Sequence, residues 1–551
     1  MSAPSSTPSR HPRLDARSVR QRLLDRAETA LIDVREEDPY AQEHPLWASN
    51  FPLSRLELQA WARIPRRDTL IVLYGHDEHG DLAERAADVF TALGYTQVFV
   101  LDGGLQGWRD AGGEIFRDVN VPSKAFGELV EAHSHTPSLP AEEVQQLLAR
   151  QDDVVVLDAR RFDEYQTMNI PGSTSVPGAE LVLRARALAP RPETRIIVNC
   201  AGRTRSIIGT QSLVNAGLPN PVAALRNGTI GWTLAGQTLE HGADRRFGAV
   251  DAAQLQTAQA DARRVADAAG VRRIDYAHLP SLSEPARTTY WLDVRTPEEY
   301  ASGHLPGFTN APGGQLVQET DHSVPVRGAR IVLADLLQVR ADMTASWLAQ
   351  MGWEVHVLEG VTAADHHERG TPATPRPATP ATAPTIAPDA LHARQQQLAE
   401  AGEADALVVL DFSTGRNYSS GHIPGAYFAI RAQLPHILHT LHQRATPPRQ
   451  LVFTCGSSLL AHFAAADARQ WTQLPIQVLE GGTQAWAKRG LPTEAGETRL
   501  ASPLIDRYRR PYEGTTAPRE AMQAYLDWEF GLVEQLGRDG THQFRVLNSD
   551  A

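Results

Sequence analysis

Short apolar segments that end in a polar residue recur along the chain and predict buried β-strands. Four of them end in aspartate: Leu31–Asp33, Val156–Asp158, Trp291–Asp293 and Val409–Asp411. A second apolar segment follows each of these: Leu70–Tyr74, Arg195–Asn199, Arg330–Ala334 and Leu451–Thr454. Runs of this length are typical of strands that are buried on both faces of a sheet. Segments with helical periodicity follow, as at Ala83–Leu93 and Ser206–Val214, so strands and helices alternate.

The spacing of these segments indicates one unit that is repeated four times. The residue after the second strand lies 42 positions beyond the aspartate in three units, from 33 to 75, 158 to 200 and 293 to 335, and 44 beyond it in the fourth, from 411 to 455. Pro-Gly turns lie between the two strands in the last three units, at 171–172, 306–307 and 424–425. Gly-rich corners end in Trp108, Trp232 and Trp486, which lie 75, 74 and 75 positions after the aspartates.

Alternating strands and helices predict an α/β fold, in which each unit has a mainly parallel sheet with helices on both faces. We expect four tandem domains at residues 12–122, 138–245, 262–368 and 389–495, a Pro-rich linker at 371–388 and a helical C-terminal tail at 496–551. The tail is expected to pack on a domain, with a partner-binding helix as the alternative. Ligand sites in such sheets lie at the carboxyl ends of strands, which is where both cysteines fall.

Composition narrows the class of protein and its compartment. The chain has 42% hydrophobic and 21% charged residues and a net charge of −12, which argues against nucleic-acid binding. Two cysteines in 551 residues cannot form a disulfide framework, which favours a reducing compartment. The first residues lack the apolar core of a signal peptide, and no run approaches 18 apolar residues. We therefore expect a cytoplasmic multidomain protein with no nucleic-acid or membrane partner.

Cys200 carries the clearest chemistry in the sequence. It follows the second strand of unit two and opens the run Cys-Ala-Gly-Arg-Thr-Arg-Ser, directly before a helical pattern. Upturned backbone N–H groups together with Arg203 and Arg205 lower a thiol pKa from about 8.5 and stabilise the thiolate. We expect a reactive cysteine, with a buried structural thiol as the alternative. Gly75 and Asp335 occupy the same position in units one and three, so these two units are expected to be inactive.

The four units resemble rhodanese-like sulfurtransferase domains. The resemblance rests on the Asp-x-Arg strand end, the Pro-Gly turn, the cysteine loop and the Gly-Gly-x-x-Gly-Trp corner, and it covers residues 15–495. It implies an enzyme that moves sulfane sulfur from thiosulfate or a similar anionic donor, through a Cys200 persulfide, to cyanide or to a small or protein thiol. Neither a metal nor an organic cofactor is implied, because the cysteine itself carries the sulfur.

The resemblance also implies roles for the residues around Cys200, the nucleophile. Backbone N–H groups of the loop would cradle the persulfide, and the guanidinium groups of Arg203 and Arg205 would hold the anionic end of the donor. The expected substrate-binding residues are Ala201, Gly202, Arg203, Thr204, Arg205 and Ser206. Asp158 and Arg160 would orient the loop from the neighbouring strand end.

Two other functions are weighed against this one. Related phosphatases on this fold carry Arg six residues after the cysteine, whereas Arg205 comes five residues after Cys200 and Ser206 is the sixth. The shorter loop favours sulfur over phosphate. The alternative from another class is a non-catalytic persulfide carrier or protein-binding scaffold, which the two units without a cysteine and the aromatic tail favour.

Two further segments contain residue types that carry chemistry. Cys455 opens the run Cys-Gly-Ser-Ser-Leu-Leu, which resembles a mercaptopyruvate-type loop but has no Arg and lacks the final hydroxyl. We favour a decayed site there, with a second sulfur site as the alternative. Residues 76–81 contain His, Asp and Glu, but a short polar loop seldom closes a metal site alone, so no metal is expected.

Overall fold

The computed structural model describes residues 10–76, 82–282, 284–381, 383–514 and 516–547. Most of the loop that was considered for metal binding, residues 77–81, lies outside the described residues. The described strands form four five-stranded sheets in which every pairing is parallel. In each sheet the first strand pairs with the fifth, the fifth with the fourth, the fourth with the second and the second with the third. The predicted fold class, four tandem α/β units, is confirmed.

Unit one contains the following elements: β1 (Arg13–Leu14), α1 (Ala16–Leu24), β2 (Ala30–Asp33), α2 (Glu37–Gln42), β3 (Ser49–Asn50), α3 (Leu56–Arg63), β4 (Ile71–Tyr74), α4 (Leu82–Ala92), β5 (Val98–Leu101) and α5 (Gly104–Asp110). Helix α6 (Val121–Ser134) leads to unit two, which contains β6 (Ser138–Leu139), α7 (Ala141–Ala149), β7 (Val154–Asp158), α8 (Phe162–Thr167), β8 (Thr174–Ser175), α9 (Leu181–Leu188), β9 (Arg195–Asn199), α10 (Thr204–Asn215), β10 (Val222–Leu225) and α11 (Gly228–Leu234).

Helix α12 (Ala252–Ala268) leads to unit three, which contains β11 (Arg272–Asp275), β12 (Thr289–Asp293), α13 (Pro297–Ser302), β13 (Thr309–Asn310), α14 (Gly313–Gln318), α15 (Thr320–Ser323), β14 (Arg330–Ala334), α16 (Val339–Gln350) and β15 (Glu354–Glu359). Unit four contains β16 (Thr385–Ile386), α17 (Pro388–Glu400), β17 (Leu407–Asp411), α18 (Gly415–Ser420), β18 (Tyr427–Phe428), α19 (Leu434–His442), β19 (Gln450–Thr454), α20 (Leu459–Ala468), β20 (Ile476–Leu479) and α21 (Gly482–Lys488). The tail forms α22 (Arg519–Phe530) and α23 (Leu532–Asp539).

Apolar patterning places the central strands accurately. Strands β9 and β14 have the predicted bounds, and β4 and β19 differ from them by one residue. The segment predicted as a linker, 371–388, is irregular at first, but its last residues form β16, an edge strand parallel to β20, and the start of α17. A two-residue edge strand is too short to show a periodic pattern, so its place depends on the partner strand.

The units pack into one body through buried contacts between elements distant in sequence. The Trp47 ring of unit one meets two other rings edge to face: Trp353 of unit three, with centroids 6.3 Å apart, and Phe544 of the tail, with centroids 5.7 Å apart. Arg431 in unit four donates to both carboxylate oxygens of Glu57 in unit one, each at 2.7 Å. The tail therefore packs on the domains, as the sequence predicted. None of the helices in the described part is both long and apolar enough to cross a membrane.

Candidate active site

The Cys200 loop lies between the carboxyl end of β9 and the start of α10, and the Gly-rich corner before α11 supports it. The Thr229 backbone N–H donates to the Cys200 carbonyl oxygen at 2.9 Å, and the Ile230 N–H donates to the Ala201 carbonyl at 3.0 Å. Gly228 has a φ of +56°, and a Cβ at this position would lie 2.3 Å from the Cys200 oxygen. Only glycine fits both the conformation and the space. The corner is therefore the base on which the cysteine loop rests.

Asp158 and Arg160 form a buried pair beneath this loop. The Arg160 guanidinium donates to both Asp158 carboxylate oxygens at 2.8 and 2.9 Å, and Asn199, the residue before Cys200, donates to Asp158 at 2.8 Å. Parallel pairing of β7 with β9 places Asp158 beside Asn199. Arg35 and Arg295 make the same pair with Asp33 and Asp293 in units one and three.

The Cys200 thiol is buried, with 2% of the residue exposed, and it donates to the Ser206 hydroxyl at 3.4 Å. Burial raises the pKa of the thiol, whereas the Arg205 charge and hydrogen bonds with the Ser206 hydroxyl and backbone N–H lower it; the net direction is upward. The expectation of a lowered pKa is therefore wrong for the unloaded site. Its physical cause is desolvation, because burial disfavours the charged thiolate.

Arg205 is the arginine that acts on the thiol. Its guanidinium forms a bidentate pair with Glu164 at 2.8 and 2.9 Å, which leaves three of its five N–H donors. Burial raises the pKa of Glu164, but the charge and hydrogen bonds of Arg205 outweigh it and hold the pKa at about 2. Arg205 also lines a polar cavity of about 880 Å³ between units two, three and four and the tail. Arg205 therefore lines a cavity large enough for a small ligand, and its charge also acts on the Cys200 thiol.

Arg203 is turned toward α6 and does not line that cavity. Its guanidinium donates to both Glu128 oxygens at 2.7 and 2.8 Å, to Glu131 and to Asn227 at 3.1 Å. The Phe530 ring lies over it, 4.1 Å from the guanidinium carbon. These contacts use most of its donors, so the structure places Arg203 in the packing between loop and α6. The sequence analysis assigned the same donor-binding role to Arg203 and Arg205, because the sequence does not show that acidic residues of α6 lie beside Arg203.

The two arginines should respond differently to the same substitution. We expect Arg205→Gln to raise the KM for thiosulfate by about 10-fold or more, because a charge-assisted contact with the anion contributes about 1.5–3 kcal/mol. Arg203→Gln should mainly lower the thermal unfolding temperature, because it leaves Glu128 buried without its cation. Steady-state kinetics and thermal unfolding of both variants check this. A larger effect of Arg203→Gln on KM would contradict it.

The C-terminal helix α22 covers the Cys200 loop. A Cβ on Gly202 would lie 3.2 Å from the Tyr525 ring and 3.4 Å from Glu529 Oε2. Ile230 after the glycine corner packs against Met522 and Leu526 of the same helix. Sequence reasoning assigned no role to Tyr525 or Glu529, since nothing in the repeat pattern connects residue 529 with residue 200. Glu164 could have been found, because it lies six residues after Asp158, as Glu299 does after Asp293.

Unit three shows what its version of the cysteine loop binds. Asp335 takes the place of Cys200, and its carboxylate accepts from the backbone N–H groups of Leu337 at 3.1 Å and Arg340 at 2.9 Å. The Arg340 guanidinium, five residues on as Arg205 is, donates to Asp335 and Glu299 and reaches Glu180 of unit two at 2.8 Å. The N–H groups of this loop thus bind the loop's own carboxylate. Arg340 of the same loop also makes a buried contact with unit two.

The Cys455 loop has a cradle without arginine. Burial raises the pKa of the thiol, and backbone N–H groups of Ala461, Ser457 and Leu460 lower it. The Gly482 corner holds this loop as Gly228 holds the other, since a Cβ there would lie 2.1 Å from the Cys455 oxygen. In unit one, a Cβ on Gly75 would lie 2.7 Å from a Val34 methyl, so a side chain at this position would clash with its neighbour.

Comparison with known proteins agrees with this architecture. The family model described as rhodanese-like domain matches residues 15–111, 140–235, 279–364 and 394–489. The chain therefore belongs to the rhodanese-like family. It is similar over nearly its whole length to thiosulfate sulfurtransferase from Pseudomonas aeruginosa, whose crystal structure superposes with a TM-score of 0.92. The two are 62% identical, and the match covers 97% of this chain and 100% of the other.

A second relative matches only part of the chain. Thiosulfate sulfurtransferase YnjE from Escherichia coli K12 is 37% identical over 128 residues. The match covers 23% of this chain and 28% of the relative, so it supports the family and not a correspondence of the whole proteins.

Proposed function

We propose that the chain is a thiosulfate sulfurtransferase in which Cys200 carries the sulfur as a persulfide. The observation that carries the proposal is the position of Cys200: it opens a loop at a strand end, the charge of Arg205 acts on its thiol, and Arg205 also lines a polar cavity. The relationship to a full-length thiosulfate sulfurtransferase supports the same reaction. Units one and three lack the thiol and serve as packing partners.

The proposed reaction has two sulfur transfers. The Cys200 thiolate attacks the outer sulfur of thiosulfate, a new S–S bond forms, and the S–S bond of the donor breaks as its electron pair leaves with sulfite. The terminal persulfide sulfur then carries the negative charge, and the charge of Arg205 and the backbone N–H groups of the loop would stabilise it. Cyanide or a thiolate acceptor attacks that outer sulfur, and the Cys200 thiolate is restored as the leaving group.

The donor would enter from the cavity on the far side of Arg205. Seven arginines line it, among them Arg160, Arg205 and Arg416, and six carboxylates line it as well, one of which, Glu164, is paired with Arg205. A cleft of this size and polarity suits a small anion better than a protein loop. Burial of Cys200 also counts against the carrier alternative, because a partner's thiol would have to reach a residue that is 2% exposed.

The remaining residues take supporting parts in the proposal. Asp158 and Arg160 position the loop through Asn199. The loop around the donor would offer its backbone N–H groups, those of Ala201, Gly202, Arg203 and Thr204. The Arg203 guanidinium would not bind the donor, because it is paired with Glu128. Cys455 is kept as a second candidate site for a less charged donor. Both cysteines are free thiols, and a persulfide enzyme of this kind is suited to a reducing cytoplasm.

Intact mass spectrometry tests the proposal. After treatment with thiosulfate and removal of excess reagent, wild type and Cys455→Ser should gain the mass of one sulfur atom, and cyanide should remove it. Cys200→Ser should gain none. A sulfur atom that appears on Cys200→Ser but not on Cys455→Ser would overturn the assignment and move the reaction to unit four.

A further inference from the structure

Glu529 is a buried carboxyl group that no ion pair accounts for. It lies on α22, none of its surface is exposed, and its Oε1 accepts from the Tyr525 hydroxyl at 2.7 Å. Its Oε2 is buried as well and has no hydrogen-bond partner among the described residues. The same oxygen is the atom that lies 3.4 Å from the Cβ position of Gly202, so it faces the Cys200 loop. An unsatisfied buried oxygen of this kind is rare in folded proteins.

The charges around Glu529 are already matched with one another. Lys124 of α6 is paired with Asp118 at 2.6 Å. Arg203 of the loop is paired with Glu128 and Glu131 of α6. Two cations thus face three other carboxylates, so no cation is left for Glu529. The charge of Glu128 also raises the pKa of Glu529, and Cys200 and Tyr525 are both harder to ionise when Glu529 is charged.

A carboxylate without a partner in this place would be costly, so the group is held neutral. Burial raises the pKa of Glu529 to about 8, against the lowering effects of Lys124, Arg203 and the Tyr525 hydrogen bond. A neutral carboxylic acid has an O–H to donate, whereas a carboxylate can only accept. At neutral pH the loop therefore faces a donor.

We propose that Glu529 is a further catalytic residue of the Cys200 site, supplied by the C-terminal tail, and that its neutral Oε2–H donates a hydrogen bond to the sulfur anion held by the loop. The inference rests on the proposed function and adds a residue to it. No proton is transferred in this contact: the S–S bonds form and break as described above, and Glu529 stabilises the charge that results. Gly202 leaves room for this approach of α22 to the loop, because a side chain there would contact Tyr525 and Glu529.

The pH dependence of persulfide formation distinguishes this role from packing. Wild type should react faster as pH rises toward 8 and the Cys200 thiolate fraction grows. The rise should then level off, because Glu529 loses its proton at about pH 8 and places a negative charge beside the anion, while the raised pKa of Cys200 lets the thiolate fraction grow further. Glutamine is neutral at every pH and can donate, so the rate of Glu529→Gln should continue to rise with pH where that of wild type levels off. Glu529→Leu fills the space without a donor and should be roughly ten-fold slower at pH 7.

The experiment is single-turnover persulfidation by thiosulfate without an acceptor, followed by intact mass from pH 6 to 10, so that titration of cyanide or a thiol does not enter. Glu520→Gln is the matched control, because it makes the same chemical change on an exposed position of the same helix. It should reproduce the wild-type profile. A rate that levels off near pH 8 in Glu529→Gln as it does in wild type would overturn the proposal, as would a Glu529→Leu rate equal to wild type.

Thermal unfolding tests the ionisation of Glu529 independently of sulfur chemistry. A pKa that is raised on folding gives stability that is fully present below the unfolded value of 4.5 and is lost as pH rises through about 8. The unfolding temperature of wild type should therefore fall more between pH 6 and 9 than that of Glu529→Gln. Equal slopes would contradict a neutral Glu529. If wild type acquires no sulfur at any pH, the proposed function fails first and this inference fails with it.

Discussion

Cys200→Ser should lose about 10⁴-fold or more in thiosulfate:cyanide sulfurtransferase activity, the scale seen when the nucleophile of covalent catalysis is removed. The reason is chemical: a serine hydroxyl in the same loop cannot accept a sulfur atom and release it again under these conditions. The side chains are nearly the same size, so the buried loop and its contacts with Gly228 and α22 should be retained. Steady-state thiocyanate formation measures the loss, and thermal unfolding shows whether the fold is kept.

Cys455→Ser is the matched control for this variant, since it makes the same change in the corresponding loop of unit four. It should retain activity within about two-fold, because the Cys455 loop has no arginine to bind thiosulfate. Equal activity of wild type and Cys200→Ser would exclude the proposed enzyme. A large loss in Cys455→Ser alone would assign the reaction to unit four.

Gly228→Ala should reduce the same activity by about 100-fold, because displacement of reacting groups by about 1 Å has effects of that size. The new methyl would lie 2.3 Å from the Cys200 carbonyl oxygen and 2.7 Å from that of Gly202. Both neighbours are backbone atoms, so the loop itself must move. The shift would also break the hydrogen bond from Thr229 to the Cys200 carbonyl.

The control for this substitution is Gly236→Ala, just after the end of α11. Gly236 also has a positive φ, +77°, but a Cβ there has nothing within 4 Å. Both variants therefore carry the left-handed strain of about 1–2 kcal/mol, and only Gly228→Ala carries the clash. Activity of Gly236→Ala should stay near wild type. A similar loss in the two variants would show that backbone strain, and not the position of the loop, determines the effect.

Local sequence and spacing were sufficient for the repeat and for placing the proposed nucleophile at a strand end. A strand that is buried on both faces consists almost entirely of apolar residues, so its bounds can be predicted from the sequence, as for β9 and β14. The aspartate-to-loop spacing then placed Cys200, Asp335 and Cys455 at equivalent strand ends, since parallel strands of one sheet end at the same edge. Units one and two also share a tyrosine contact: the Tyr40 hydroxyl donates to the Ala48 carbonyl, and the Tyr165 hydroxyl donates to the Ser173 carbonyl.

The chain by itself determined the fold class, the four units and the residue expected to carry the sulfur, because each depends on patterns within about a hundred residues. The tertiary structure alone decided the surroundings of that residue. In the folded protein, Arg203 pairs with Glu128 of α6 and Arg205 lines the cavity. Tyr525 and Glu529 lie against the Cys200 loop. The direction of the Cys200 pKa follows from that cover, because desolvation depends on whichever segment packs against a group, however far away it lies in sequence.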